Sequence, residues 1–228
     1  MSDGGANTPI RAARMVLGMV QTNTWILYRT DGGPSENGTA AVVIDPAGDG
    51  ERIYERLVEK GFAADSILLT HGHFDHIEGI AGLEKAAERD GRHLAVSCLD
   101  KERGLCGGPE LNCSASMGGS GFTVTPDETF TDGARLTAAG IEMEVIATPG
   151  HTAGSCCFYI REAGILIAGD TLFEESIGRC DLPTGSTSLL VRSVKEKLFI
   201  LPDDTLVLPG HGDETTIGHE KMYNPFLA

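Results

Sequence analysis

Apolar residues recur along the chain in short runs separated by Gly, Pro, Asn and Asp, and these runs outline most of the elements. Met15–Val20 and Thr24–Arg29 read as paired strands, followed by a polar turn region at Asp31–Gly38. Ala40–Ile44 is a third, apolar strand. Over Glu51–Lys60, Ile53, Leu57 and Val58 share one face, Asp49 stands where a cap belongs and Gly61 follows as a stop, so this stretch is predicted to be a helix. Strand Ile67–Leu69 comes next, then a second helix from near Asp75 to about Glu88, then strand Leu94–Ser97. The Gly-, Ser- and Cys-rich stretch Gly104–Gly121 reads as a loop. Strand-like segments follow at Phe122–Thr125, Ile141–Ala147, Cys156–Ile160 and Ile165–Ala168. Ser186–Ile200 is predicted to be a helix with Leu190, Val194 and Leu198 on one face, and Thr205–Leu208 is the last strand before a tail. Strands come in consecutive groups with helices between the groups. This predicts an α/β fold of two sheets with helices outside, a pattern that other α/β layerings also share.

Composition narrows the class. A chain of 228 residues, 41% hydrophobic and 22% charged, is ordinary for a globular domain, and neither repeats nor low-complexity linkers divide it. The formal net charge of −15 disfavours phosphate backbones and anionic lipid, so neither nucleic acid nor membrane is expected as a partner. Met1–Pro9 is polar and Gly-rich, without a basic start and apolar run, so the cytoplasm is the expected location. The six cysteines show no Cys-x-x-Cys spacing and read as free thiols. Cys156 and Cys157 fall within a strand, whereas Cys106 and Cys113 lie in the loop as candidates for reactivity.

The chemistry concentrates in Thr70-His71-Gly72-His73-Phe74-Asp75-His76. His71 and His73 are two apart, so on extended backbone they point the same way, and Asp75 and His76 fall where the chain turns into a helix. Imidazole and carboxylate donors suit zinc, iron or manganese, zinc being the common choice. Three further residues share one local design. His151 follows Val145–Ala147 and a Pro149-Gly150 turn, Asp170 follows Ile165–Gly169, and His211 follows Leu206–Leu208 and a Pro209-Gly210 turn. Each alone also reads as a polar residue closing a strand; together with His71 they repeat one construction at four strand ends. Five histidines and two aspartates exceed what one zinc takes, whereas two ions sharing a carboxylate and a water would use all seven. His93 and His219 lack this setting and read as surface or structural residues.

The order His-x-His-x-Asp-His, then His151, Asp170 and His211, resembles the metallo-β-lactamase superfamily from about Val16 to the C-terminus. The resemblance implies a four-layer αββα sandwich with two divalent metals at one edge, zinc being expected and iron or manganese alternatives. It further implies that His71, His73 and His151 hold one ion, that Asp75, His76 and His211 hold the other, and that Asp170 bridges them. Aspartate at 170, Gly178-Arg179-Cys180-Asp181, Thr216-Ile217-Gly218 and Asn224-Pro225-Phe226 are similar to the small bacterial glyoxalase II-like hydrolases. Only 17 of the 228 residues follow His211, so residues 1–228 are expected to form one domain without the C-terminal helical domain of full-length glyoxalase II.

The activity this implies is hydrolysis of a small anionic thioester, such as a hydroxyacylglutathione, by hydroxide supplied at the dinuclear site, with Asp75 orienting the water or taking its proton. Arg179 and Lys221 are the candidate cationic contacts for the substrate, each reading equally as a surface charge. Alternatives are lactone or ester hydrolysis, a persulfide dioxygenase using a single iron, and a non-catalytic metal-binding module; a nuclease fits poorly with the acidic charge.

Overall fold

The computed structural model describes residues 8–32, 38–117 and 121–228. Most of Met1–Pro9 and parts of the turn at Asp31–Gly38 and the loop Gly104–Gly121 therefore lie outside the described residues. Six strands form the first sheet in sequence order: β1 (Ile10–Leu17), β2 (Thr22–Arg29), β3 (Thr39–Ile44), β4 (Phe62–Leu68), β5 (Ala95–Leu99) and β6 (Glu128–Phe130). β1–β3 are antiparallel, and β3–β6 run parallel. Parallel strands require crossovers. These carry α1 (Gly50–Glu59), the single turn α2 (Phe74–Ile77), α3 (Ile80–Arg89) and the short α4 (Arg103–Cys106).

The second sheet begins with β7 (Arg135–Ala138), β8 (Ile141–Ala147), β9 (Cys156–Ile160) and β10 (Ile165–Gly169). A small hairpin, β11 (Leu172–Phe173) and β12 (Ser176–Ile177), and helix α5 (Thr187–Ser193) intervene. β13 (Leu206–Pro209) then returns parallel to β10, followed by β14 (Thr215–Thr216) and α6 (Ile217–Tyr223). The strand order is β14-β13-β10-β9-β8-β7.

Strand periodicity sorts side chains into three apolar layers. Trp25, Leu27, Val42 and Ile44 of the first sheet meet Phe158, Ile160, Ile165 and Ile167 of the second in a shared core. Their neighbours Ile26, Val43 and Ile67 face Ile53, Leu57 and Leu83 on the helices. Tyr159, Leu166 and Ala168 face Val194 and Leu198 on the other side. The result is an αββα sandwich, as expected. Since a slip of one residue would exchange the two buried faces of a strand, this register is strongly specified.

Several elements differ from the sequence reading. β1 starts at Ile10 and ends at Leu17, leaving Met19 and Val20 exposed in the turn to β2. Asp49 does cap α1 by accepting from Arg52 N, but Val58 is 54% exposed and off the buried face. The helix expected from Asp75 to Glu88 is broken, because Gly79 donates to the Pro46 carbonyl and a Cβ there would lie 2.7 Å from that oxygen. Phe122–Thr125 is not a strand. Its backbone bonds go to the preceding loop instead, Phe122 N to Ser114 Oγ and Val124 N to the Cys106 carbonyl. Glu128–Phe130 and Arg135–Ala138, too short for a periodic signal, supply β6 and β7. The helix expected at Ser186–Ile200 continues past α5 as a π-turn over Val194–Leu198, and the tail contains α6. Cys106 is buried, and its contact with Cys98 together with burial pushes its pKa up, so the structure corrects its reading as a reactive thiol. Cys113, half-buried, is also pushed up by burial. Among the described residues, no helix is long and apolar enough to cross a membrane.

Candidate metal centre

One end of the sandwich gathers the strand termini that the sequence singled out. β4 delivers His71 and His73, and α2 starts directly after His73, with Asp75 in its first turn and His76 following. From the second sheet, β8 leads through Thr148-Pro149-Gly150 to His151, β10 ends at Asp170, and β13 leads to His211. The sheets are stitched together at this end. Asn23 N donates to the Gly210 carbonyl at 2.7 Å, and Cys156 N donates to the Thr70 carbonyl at 2.9 Å. Two glycines are required by close approach. A Cβ on Gly150, whose φ is +144°, would lie 2.2 Å from Leu190 N, and one on Gly210 would lie 2.2 Å from Asp170 Oδ1.

All seven expected residues converge. His73 Nδ1 and His71 Nε2 stand 2.8 and 3.2 Å from His151 Nε2. On the other side, His76 Nε2 and His211 Nε2 lie 3.5 and 3.2 Å from Asp75 Oδ2. Asp170 reaches both sides: Oδ1 is 3.4 Å from His76 Nε2, while Oδ2 is 3.5 Å from His151 Nε2 and 3.6 Å from His211 Nε2. His71, His73 and His151 form one compact donor group and Asp75, His76 and His211 another, the donor atoms in each lying within 4.8 Å of one another.

Outer partners fix which ring nitrogen carries the proton. His151 Nδ1 donates to the Arg179 carbonyl at 2.7 Å, which leaves Nε2 as a lone pair facing inward. His76 Nδ1 donates to Asp45 Oδ2 at 3.0 Å. Thr70 Oγ1 gives its hydrogen to Asp45 Oδ2 at 2.6 Å, so its lone pair is left to accept from His71 Nδ1 at 3.1 Å. The His71 and His151 rings thus present bare Nε2 atoms to each other at 3.2 Å. His73 Nε2, His76 Nε2 and Asp170 Oδ1 are buried and find no hydrogen-bond partner among the described residues. Converging lone pairs and buried carboxylates repel unless cations lie among them, so the donor set fits metal ions.

Acidities follow the same division. Burial, with His76 and the other imidazoles, drives the His71 pKa well below its ordinary value; burial and His151 bring His73 to about 3. Burial works the same way on His76 but is outweighed by Asp75, Asp170 and Asp45, so its pKa rises. His211 rises too, Asp75 and Asp170 outweighing its burial. Burial disfavours the Asp75 and Asp170 carboxylates, yet the facing imidazoles hold both low, Asp170 at about 2 and Asp75 well below the usual carboxylate range.

Arg179 sits beside this group through its carbonyl, while its exposed guanidinium is paired with Asp181 at 2.8 Å. The structure does not bring Lys221 to the group: it pairs with Asp203, which precedes β13, whereas His211 follows that strand. His93 is exposed, and His219 bonds Glu175 at 3.2 Å. Sequence reasoning passed over three residues. Asp45 ends β3 before Pro46, in the same strand-end design as the others. Thr22 donates to Asp75 Oδ2 at 2.7 Å, and Glu102 lies buried under two of the ligand-bearing loops. Neither Thr22 nor Glu102 carries a sequence signal.

Residues 17–211 match the model of the metallo-beta-lactamase superfamily. The chain is 36% identical over 215 residues to "Probable metallo-hydrolase YqgX" of Bacillus subtilis, covering 94% of this chain and 96% of that protein. It is 34% identical over 194 residues to hydroxyacylglutathione hydrolase GloC of Haemophilus influenzae, covering 82% and 87%. Among solved structures, BLEG-1 B3 metallo-beta-lactamase is 36% identical with a TM-score of 0.84, covering 96% of this chain and 100% of that one. TTHA1623 in a di-iron-bound form is 33% identical with a TM-score of 0.79, covering 94% and 100%.

Proposed function

The chain belongs to the metallo-beta-lactamase superfamily of metal-dependent hydrolases, and from that premise we propose that it is a dinuclear metallo-hydrolase of small anionic thioesters, hydroxyacylglutathiones among them. In this reading His71, His73 and His151 hold one divalent ion, Asp75, His76 and His211 hold a second, and Asp170 lies between. The carrying observation is that one carboxylate, Asp170, stands within 3.6 Å of imidazole nitrogens from both donor groups. The ions are taken as zinc, with iron and manganese as alternatives; the di-iron form of TTHA1623 supports a pair of ions and keeps iron in view. The described residues are read as one domain, because both sheets bury a common core.

Two bound divalent cations would acidify a water they share and polarise a substrate carbonyl. The chain's own residues supply the rest. Asp75 stays ionised at neutral pH and is held by the Thr22 hydroxyl and His211, so it can orient a water or take its proton. Arg179 stands beside His151 through its carbonyl, and its exposed guanidinium, paired with Asp181, is read as the cation that a substrate carboxylate would share. A thiol's reference pKa of about 8.5 lets a thiolate depart without a strong general acid, which suits a site built of imidazoles and carboxylates. GloC supports this substrate class, and BLEG-1 supports a second reading, opening of a β-lactam.

The test is metal analysis of the purified protein together with assays on S-lactoylglutathione, a simpler thioester, a lactone and a cephalosporin. Two ions per chain and fastest turnover of thioesters are expected. Preferential cephalosporin hydrolysis would favour the second reading. One iron per chain with oxygen uptake on glutathione persulfide would overturn hydrolysis altogether.

A further inference from the structure

Glu102 ends the short turn after β5 and is 1% exposed, yet among the described residues no charged side chain pairs with it to explain a carboxylate there. Its Oε1 accepts from Gly72 N at 2.9 Å and from Thr152 Oγ1 at 2.9 Å. Its Oε2 lies 3.0 Å from the same hydroxyl, and Gly154 N also donates to the carboxylate. All the partners are donors, which suits the ionised form, while burial outweighs them and pushes the carboxyl's pKa up. Gly72 separates His71 from His73, and Thr152 follows His151. One buried charge therefore bonds both loops that present the three imidazoles, one loop from each sheet. The fit is close: a Cβ on Gly154 would lie 2.4 Å from Glu102 Oε2. Burying a carboxylate costs several kcal/mol unless charge-assisted bonds offset it, and here those bonds go to the two loops whose separation sets the His73–His151 and His71–His151 spacings.

We propose that Glu102 is a positioning residue that clamps the His71–His73 loop to the His151 loop and so sets the metal affinity of the three-imidazole side. The proposal rests on the metal-centre reading above and extends it to a residue that touches neither ion nor substrate. It also implies selectivity, since Glu102 bonds nothing in the Asp75, His76 and His211 group.

A cycle of variants tests this. His211→Ala leaves the three-imidazole side intact, and His151→Ala leaves the other side intact. Glu102→Gln, which keeps the size of the side chain but turns an N–H against one of the donors, is introduced into each background. Zinc affinity is read by competition with a chromophoric chelator, the visible spectrum of the cobalt form is recorded, and the metal-free protein is melted in parallel. In the His211→Ala background, zinc should bind about 10- to 100-fold more weakly and the cobalt bands should shift, as when partners of ligating groups are lost. In the His151→Ala background the change should stay within about twofold. Thr152→Val removes the hydroxyl donated to Glu102, which also lies 2.7 Å from Ser155 Oγ, and should weaken the three-imidazole side by about threefold to tenfold, the scale of a lost hydrogen bond; it serves where Glu102→Gln does not fold. Equal losses in both backgrounds, or unchanged affinity in folded protein whose melting temperature alone has dropped, would overturn the proposal. A wild-type chain that binds no zinc, iron or manganese would overturn the metal-centre reading itself, an outcome visible before any Glu102 variant is made.

Discussion

His71 and His76 are both fully buried, with ring centroids 4.0 Å apart, yet their acidities move in opposite directions. His71 faces other imidazoles and a hydroxyl, so burial prevails and the ring stays neutral. His76 faces Asp45, Asp75 and Asp170, so a positive charge is favoured there in spite of burial. The same division separates the two halves of the centre. One is an imidazole cage held between loops from both sheets. The other is a carboxylate-rich group in which His211 is 28% exposed. The lesson is that residue type alone does not set a ligand's charge; the groups that face it do.

Asp170→Ala should blur the distinction most, because it removes the carboxylate that stands within 3.6 Å of imidazole nitrogens from both halves. Thioester turnover is expected to fall by about 10³-fold or more, the scale of losing several kcal/mol of charge stabilisation, and metal content to fall toward one ion per chain by elemental analysis. Asp45→Asn should reach both halves unequally, because Asp45 Oδ2 holds His76 Nδ1 directly and His71 only through Thr70. It is expected to weaken zinc binding on the His76 side by about 10- to 100-fold and on the three-imidazole side by a smaller factor in chelator competition.

The neutral half makes a pH prediction. His73 has a folded pKa of about 3 against an ordinary value of 6.5, so between these values the unfolded chain binds a proton that the folded chain refuses. Stability of the metal-free protein is therefore lost as pH falls from 6.5 toward 3, by up to about 1.4 kcal/mol per pH unit for this group. His76 and His211, with raised pKa values, act in the opposite sense. His73→Gln should flatten the acid limb of the denaturant-derived stability profile by about one proton; an unchanged limb would contradict the assignment. The smallest effect concerns the rim. Arg179→Ala should raise KM for an anionic thioester about twofold to tenfold with kcat nearly kept, the range for a partly exposed charge contact, whereas Lys221→Ala should leave both unchanged because Asp203 holds that side chain away from the site.

The four strand ends were legible because a buried strand, a small or turn-forming residue and a ligand-type side chain recur together, and the fold preserves that order at His71, His151, Asp170 and His211. Layering was legible for β2, β3, β9 and β10, where each face is apolar and feeds a separate core. β6 and β7 were not, since three or four half-exposed residues carry no period. Phe122–Thr125 looked like a strand by composition but bonds to a folded loop that local pattern cannot foresee. Glu102 was hidden for a different reason: in Asp100-Lys101-Glu102 it reads as one charge in a surface run, and only tertiary structure places it beneath Gly72 and Thr152. The pairing of Lys221 with Asp203 was hidden for the converse reason, because the two lie 18 residues apart in sequence.

The central claim is that two sheets bring their strand ends together around a pair of ions. Anomalous diffraction from crystals of the zinc-loaded protein tests it most directly. The account predicts two peaks, one among His71, His73 and His151 and one among Asp75, His76 and His211, with Asp170 touching both. A fully loaded crystal with a single peak, or with peaks away from these seven residues, would contradict it.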